Sequence, residues 1–206
     1  MLNDEAGAIA PAFLREGGEM SRLIAAFAWE RTSLGPLERW PQGIISTVAM
    51  ILRSPVPIVT LWGEDGVMIY NDAYSVFAGA RHPALLGSKV REGWIEVADF
   101  NDNVVRTVFG RGETLSYADQ ELTLYRNGRP EQVWMNLDYS PVLGEDGRPL
   151  GVIAIVVETT DKVTAERWLR GEAERLRMMV EQTPGFSALL EGPDHVFTMA
   201  NQAYLR

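Results

Sequence analysis

The sequence contains no cysteine and only two histidines. Without thiols the chain cannot form a disulfide framework, a thiolate metal site or a catalytic cysteine. The histidines, His82 and His195, are isolated, and no group of His, Asp and Glu residues has the spacing of metal ligands. These absences exclude thiol chemistry and predict that the chain holds no metal.

Long apolar runs and an excess of positive charge are also missing. The longest apolar stretches, residues 44–52 and 152–157, are too short to span a bilayer. Residues 1–11 lack the positive charge of a signal peptide. The net charge of −9 disfavours binding to nucleic acid or to anionic lipid. We therefore expect a cytoplasmic segment with no membrane insertion and no nucleic-acid partner.

Apolar residues at three- and four-residue spacing predict helices early in the chain and in its middle. This spacing occurs in residues 19–30 and again in residues 43–53, where Pro55 follows and stops the helix. Residues 94–109 carry a longer helical pattern that Gly110 terminates. Two of these predicted helices precede the segments that resemble β-strands, and the third lies between them.

Five segments are rich in β-branched and apolar residues and lie between turn signals. They are residues 56–62, 67–70, 114–125, 132–142 and 150–159. Turns of Asn-Gly and Asp-Gly type join the last three segments, as in β-hairpins. The order of two strands, several helices and three strands predicts an α+β fold, in which a five-stranded antiparallel sheet carries helices on one face.

Residues 160–182 predict one further helix. Leu169, Ala173, Leu176 and Val180 recur at alternating four- and three-residue steps, as in the seam of a coiled coil, and charged residues flank them. The pattern extends over fewer than three heptads. It therefore fits either a helix that pairs with a second copy or a lone amphipathic helix.

An internal repeat carries the most information about organisation. The turn Gly63–Gly66, a short strand and the motif Asn-Asp-Ala-Tyr at 71–74 have an echo near the end of the chain. There an acidic turn and a strand precede Asn-Gln-Ala-Tyr at 201–204. A separation of 130 residues corresponds to one domain plus a connector, so we expect a second domain of the same kind to begin here.

These features together resemble the PAS domains of bacterial sensor histidine kinases. The resemblance is carried by the hairpin ending in Asn71, by His82-Pro83 to Gly87, by the Arg126-Asn127-Gly128 turn, by Tyr139-Ser140-Pro141-Val142 and by Glu158-Thr159-Thr160. It implies a PAS fold with an N-terminal helical extension and a C-terminal connector helix. It also implies four regions: a lead-in and helical cap (1–54), a PAS sensor domain (55–160), a connector (161–183) and the truncated start of a second PAS domain (184–206).

The family role implied is a signal-input module that regulates a C-terminal histidine kinase of a two-component phosphorelay. The signal would pass through Glu158 and Thr160 to the seam of the connector helix, formed by Leu169, Ala173, Leu176 and Val180. We expect a homodimer formed through residues 163–182 and the helix near residues 20–28. The kinase region of the parent protein would be the second partner.

The resemblance also allows a comparison with PAS domains that bind a cofactor. Flavin-binding PAS domains place a reactive cysteine where this chain has Val90, and haem-binding ones use a helical histidine that residues 94–110 lack. No cofactor is therefore expected, which leaves a filled core or a small apolar metabolite held by Thr123 or Tyr139. The candidate pocket residues are Val59, Leu61, Val90, Phe100, Val104, Thr123, Met135, Leu137, Tyr139, Ala154 and Val156.

Catalysis by this segment itself is not expected. Neither histidine lies in the context of a phosphoacceptor, and Gly110-Arg111-Gly112 lacks the spacing and the lysine of a P-loop. The kinase activity would belong to the parent protein. Two alternatives remain: a ligand-free dimerisation or protein-docking module, and a small α+β-cone enzyme that uses Asp138 or Glu121 for acid/base chemistry.

Overall fold

The computed structural model describes residues 11–15 and 18–205. The chain divides between Thr159 and Thr160 into two units, which are treated separately below. Most of the lead-in predicted over residues 1–18 lies outside the described residues. The first unit contains a helical cap, a sheet and a helical layer, and the second contains one long helix and a hairpin.

The cap contains the two helices that the apolar spacing predicts. They are α1 (Gly18–Ala26) and α2 (Gln42–Ile51), and short 3₁₀ turns lie between them. Met20 and Ile24 of α1 are fully buried, so the apolar stripe of this helix packs within its own unit. The backbone N–H of Met20 donates to Asp72 Oδ1 at 2.8 Å, a hydrogen bond that fixes the start of α1 from a distant part of the chain.

A five-stranded sheet follows, and every pairing in it is antiparallel. The strands are β1 (Ile58–Trp62), β2 (Val67–Tyr70), β3 (Leu115–Tyr125), β4 (Pro130–Leu143) and β5 (Pro149–Glu158), in the spatial order β2-β1-β5-β4-β3. Short hairpin turns connect β1 with β2, β3 with β4 and β4 with β5. The predicted α+β fold with a five-stranded antiparallel sheet is confirmed.

The helical layer on the inner face of the sheet consists of short elements. These are α3 (Asp72–Ala78), α4 (Val90–Gly93), α5 (Ala98–Val104) and a π-helical turn at Val105–Phe109. The single helix predicted over residues 94–109 is wrong in its first turn. Val97 has non-helical backbone angles (φ −125°, ψ 28°), so a 3₁₀ turn at Ile95–Val97 precedes α5.

The outer face of the sheet is covered at β1 by the cap. Trp62 points to this face and is fully buried within the chain, beside Leu34, Pro41 and Ile44. A Cβ atom at Gly151 would lie 2.6 Å from both the Trp62 ring and the Leu61 carbonyl oxygen. Only glycine therefore allows β5 to approach β1 this closely under the tryptophan.

The second unit begins with α6 (Thr160–Gln182) and continues into a two-stranded antiparallel hairpin. Its strands are β6 (Ala188–Glu191) and β7 (Val196–Ala200). Leu190 and Phe197 of the hairpin are 44% and 56% exposed. An isolated two-stranded hairpin with exposed apolar side chains is marginal in water.

One buried side chain, Asn71, joins the cap, the sheet and the helical layer. Its Oδ1 accepts hydrogen bonds from the backbone N–H groups of Ile58, at the start of β1, and Tyr74, in the first turn of α3, both at 3.0 Å. Its amide nitrogen donates to three backbone carbonyls at 2.8–3.1 Å, those of Ile51, Ser54 and Val56. All polar atoms of this fully buried amide are thus satisfied by backbone groups.

Asn201 repeats this arrangement in the second unit. Its Oδ1 accepts from the N–H groups of Ser187 and Tyr204, and its Nδ2 donates to the carbonyls of Thr183 and Gly185, at 2.7–3.1 Å. The sequence repeat is therefore also a repeat of hydrogen-bond geometry.

The substitution Asn71→Asp should destabilise the first unit strongly. Aspartate has the same shape and keeps the acceptor oxygen, but an oxygen replaces the Nδ2 donor. This carboxylate oxygen would face three carbonyl oxygens and could donate no hydrogen bond to them. We expect the free energy of unfolding in urea to fall by about 3 kcal/mol. Asn201→Asp is the matched control and should change that transition by less than about 0.5 kcal/mol. Equal losses in the two variants would contradict the role assigned to Asn71.

Candidate functional site

A cavity of about 50 Å³ lies between the inner face of the sheet and the helical layer. Space of this size admits several water-sized groups. The sheet contributes Val59, Leu61, Leu122, Leu124, Met135, Leu137, Tyr139, Ala154 and Val156, and the helical layer contributes Tyr74, Phe77, Val90, Trp94, Val97, Phe100 and Asn101. Every one of these side chains is uncharged.

The structure brings together nine of the eleven predicted pocket residues around this cavity. They are Val59, Leu61, Val90, Phe100, Met135, Leu137, Tyr139, Ala154 and Val156. Val104 is fully buried in the core but does not line the cavity. The alternation of side chains along a strand correctly predicts which residues of β1, β4 and β5 face the cavity. In these three strands the side chains at the cavity follow an uninterrupted period of two.

The inward placement predicted for Thr123 is wrong, because its side chain is exposed on the outer face. A β-bulge follows Tyr117 in β3, and Asp119 within it has a φ of +47°. The extra residue shifts the alternation by one position. Leu122 and Leu124 therefore face the cavity in place of Thr123.

Sequence reasoning also missed the aromatic wall formed by Tyr74, Phe77 and Trp94. Neighbouring rings in this group have centroids 5.2 and 5.8 Å apart, and Trp94 Nε1 donates to the Tyr74 hydroxyl at 3.1 Å. The three-residue step from Tyr74 to Phe77 is a helical signal that places both rings on one face of α3.

Asn101 is a polar side chain within an apolar helical stripe. Val97, Phe100 and Asn101 line the cavity, and Val104 continues the stripe one turn later. Their spacing of three, four and seven residues is the signal that could have placed Asn101 inward. Asn101 is 7% exposed, and its Nδ2 atom is buried with no hydrogen-bond partner among the described residues.

The two buried phenols of the cavity are Tyr74 and Tyr139. Burial raises the pKa of each hydroxyl group above the ordinary value for tyrosine. Both are protonated at neutral pH, as unperturbed phenols are, and can donate hydrogen bonds. On one side of the cavity, Tyr139 and Phe100 pack with centroids 6.4 Å apart, and Tyr117 lies 5.1 Å from Phe100.

Arg81 stacks on one ring of the aromatic wall. Its guanidinium carbon lies 4.6 Å from the centre of Trp94, and the group is paired with Glu96 at 2.9 Å. Arg81 also donates to the backbone carbonyls of Gly93 and Tyr125. These contacts fasten the α4 segment to the end of β3.

Arg126 is the corresponding cation on Phe77, at 5.1 Å from the ring centre. It lies in the turn between β3 and β4 and pairs with Glu131 at 2.9 Å and with Glu158 at 2.7 Å. Asn127 donates to Glu131 and, together with Arg126, holds the pKa of that carboxyl below its ordinary value. One cation thus contacts the wall of the cavity and the last residue of β5.

The predicted signal-transfer residues lie at the end of β5 and on α6. Glu158 ends β5, and Thr160 is the first residue of α6. Leu169, Ala173 and Leu176 are exposed on α6, and Val180 is half-buried. The seam that the spacing predicts is therefore an accessible apolar stripe on this helix.

Asp138 and Glu121, the carboxylates considered for acid/base chemistry, do not reach the cavity. Both side chains are exposed, and Asp138 accepts a hydrogen bond from the Ser116 hydroxyl at 2.6 Å. His82 lies outside the cavity lining and is hydrogen-bonded to the Tyr70 hydroxyl.

The described residues form neither a metal-binding cluster nor a membrane-spanning helix. Across residues 11–15 and 18–205, no three His, Asp or Glu side chains are grouped in a way that could hold a metal ion. Over the same residues, no helix combines the length and apolar character needed to cross a bilayer.

Several solved structures are similar to this chain at low sequence identity. The PAS domain of Bordetella pertussis BvgS has 22% identity and a TM-score of 0.46, covering 64% of this chain and 97% of that one. A sensory box sensor histidine kinase from Vibrio cholerae has 18% identity and a TM-score of 0.39, covering 56% and 86%. These likenesses concern the fold alone.

An RNA-binding light-oxygen-voltage receptor has 18% identity and a TM-score of 0.47, covering 72% of this chain. The chain spans only 42% of that receptor's length. No curated protein shows significant similarity to the sequence. The family profile described as PAS fold matches residues 53–164, which is more than half of the chain. The antiparallel sheet, its helical layer and this match agree, and the chain belongs to the PAS fold family.

Proposed function

We propose that the chain is a ligand-responsive input module of a bacterial sensor histidine kinase that feeds a two-component phosphorelay, and that it acts in the cytoplasm. The observation that carries this proposal is the position of Arg126. It contacts Phe77 in the cavity wall and Glu158 at the end of β5. The next element along the chain is the long helix α6.

The coupling works through a shared cation. A molecule in the cavity presses on the Phe77 ring and changes the stacking of the Arg126 guanidinium. Because Arg126 divides its hydrogen bonds between Glu131 and Glu158, a shift of the cation changes how firmly the end of β5 is held. Side-chain networks with two arrangements are the physical basis of such switches.

The output step is assigned to α6 as a paired helix in a parallel homodimer. Leu169 and Leu176 are 60% and 50% exposed on this helix, which leaves an apolar stripe for a second copy to cover. Because Met20 and Ile24 of α1 are buried in their own unit, any contribution of α1 to the dimer comes from its exposed side. The partner of the dimer in signalling would be the kinase region of the parent protein.

The hairpin after α6 is assigned to the start of a second PAS domain. The Asn201 hydrogen bonds repeat those of Asn71. The exposed apolar side chains of β6 and β7 would be buried if further strands and helices packed against the hairpin. Tandem domains joined by a helix are consistent with an input module that has more than one sensing stage.

The ligand-free docking module remains the second candidate. Ile155 and Val157 of β5 are 38% and 43% exposed on the outer face of the sheet. A docking module that used only this face and α6 would not respond to a change inside the cavity, whereas a ligand-responsive sensor would. This difference distinguishes the two candidate functions.

Cysteine scanning along α6 tests the paired helix, and the cysteine-free chain gives no background. Single cysteines at Leu169, Ala173, Leu176 and Val180 should form intermolecular disulfides about tenfold faster than cysteines elsewhere on the helix. Glu174→Cys and Met178→Cys are the off-seam controls. Similar rates at all positions, or a monomer throughout, would rule out the assigned seam.

A cavity-filling substitution tests the sensor itself. Ala154→Leu places a larger side chain in the cavity and should change the cross-linking rate of a cysteine at position 176 by about fivefold or more. Circular dichroism and thermal melting check that the variant is folded, because overpacking costs about 1–3 kcal/mol. An unchanged rate in folded Ala154→Leu would favour the docking module.

Arg126→Gln should abolish that response to Ala154→Leu. The neutral amide loses both ion pairs and the stacking on Phe77, and we expect the stability in urea to fall by about 2 kcal/mol. The matched control is Arg129→Gln in the same turn, where the arginine side chain is 80% exposed and only 3.8 Å from Glu131. It should preserve the response, and loss of the response in both variants would contradict a specific role for Arg126.

A further inference from the structure

The packing of the cavity leaves the side-chain amide of Asn101 unexplained. The residue is 7% exposed, and Nδ2 has no hydrogen-bond partner within the part of the chain that the structure describes. No other unpartnered buried polar atom in that part belongs to a residue that lines the cavity. A buried amide without a partner is costly, and native proteins rarely retain one.

The position of Asn101 directs its amide towards the space between helix and sheet. The residue lies on the stripe of α5 that also presents Phe100 to the cavity. The facing strands contribute the aliphatic side chains of Leu137 and Val156 and the phenol of Tyr139. The amide is therefore a donor that meets an apolar space rather than a neighbouring carbonyl.

We propose that the cavity takes a small uncharged molecule with an apolar body, whose hydrogen-bond acceptor pairs with the Asn101 amide. The proposal rests on the sensory function assigned above to the same cavity. A ketone, lactam or ring nitrogen supplies such an acceptor. The Tyr139 hydroxyl is a second donor in the same wall.

The charge of the surroundings selects a neutral molecule. All lining side chains are uncharged, and burying an ion without a counter-ion is strongly unfavourable. The two nearby cations, Arg81 and Arg126, stack on Trp94 and Phe77 and are already paired with carboxylates. They are therefore not available to neutralise an anionic ligand.

Three probes of matched size test this chemistry. Cyclopentanone carries an acceptor, methylenecyclopentane has the same shape without one, and cyclopentylammonium carries a charge. Their dissociation constants are measured by NMR titration, following the methyl groups of Val59 and Met135 in the cavity wall. We expect saturable binding of the first two and no binding of the ammonium compound.

The decisive measurement compares these constants in the wild type and in Asn101→Leu. Removing the amide should lower the preference for the ketone over the hydrocarbon by about tenfold, the value of one hydrogen bond. The variant should melt no lower than the wild type, because it removes an unsatisfied donor. Tyr117→Phe, beside the cavity but outside its lining, is the control and should leave the ketone preference unchanged.

Three results would overturn the proposal: an unchanged ketone preference in Asn101→Leu, tight binding of the ammonium compound, or no saturable binding of either neutral probe. Each is distinguishable from failure of the sensory function. If the Ala154→Leu response holds while the ketone preference does not depend on Asn101, only the ligand chemistry is wrong. If the ketone binds through Asn101 but Ala154→Leu has no effect on α6, the site binds a ligand without signalling.

Discussion

The hydrogen bonds of Asn71 hold together the three layers on which the cavity depends. The cap ends at Ile51, the sheet begins at Ile58 and the helical layer begins with α3, and one fully buried amide bonds to the backbone of all three. Buried polar networks of this kind specify a unique arrangement because a displaced layer would leave several groups unsatisfied. The spacing between helical layer and sheet, and hence the cavity, follows from that constraint.

Much of this fold could be predicted from residue patterns. The hairpin of β1 and β2 and the three later strands follow from β-branched and apolar runs bounded by turn residues, and the extent of α6 follows from a heptad pattern. The segment before α5 could not be predicted in this way, because Val97 leaves the helical region while the apolar spacing continues through it. Periodicity reports which face is buried and does not report where the backbone changes from one helix type to another.

The candidate site shows the same limit at the level of single side chains. Val59, Met135 and Ala154 were placed correctly because their strands have a regular pleat at the cavity. Thr123 was placed on the wrong face because the bulge at Asp119 has no clear signature in the sequence. Asn101 was missed for a different reason. A polar residue in an apolar stripe normally indicates an interruption of the buried face, whereas Asn101 lines the cavity with its amide nitrogen buried and unpartnered among the described residues.

The contact between Gly151 and Trp62 has a mechanical consequence for β5. Near its beginning this strand lies against β1 with no room for even a methyl group, under a tryptophan that the cap encloses. Its other end is held by Arg126, whose side chain is only 12% exposed and pairs with both Glu131 and Glu158. Between these ends β5 is paired with β1 as far as Ile155 and with β4 as far as Glu158, so its last residues have fewer neighbouring strand contacts than its first. Movement of β5 would therefore be largest at Glu158, immediately before the first turn of the long helix.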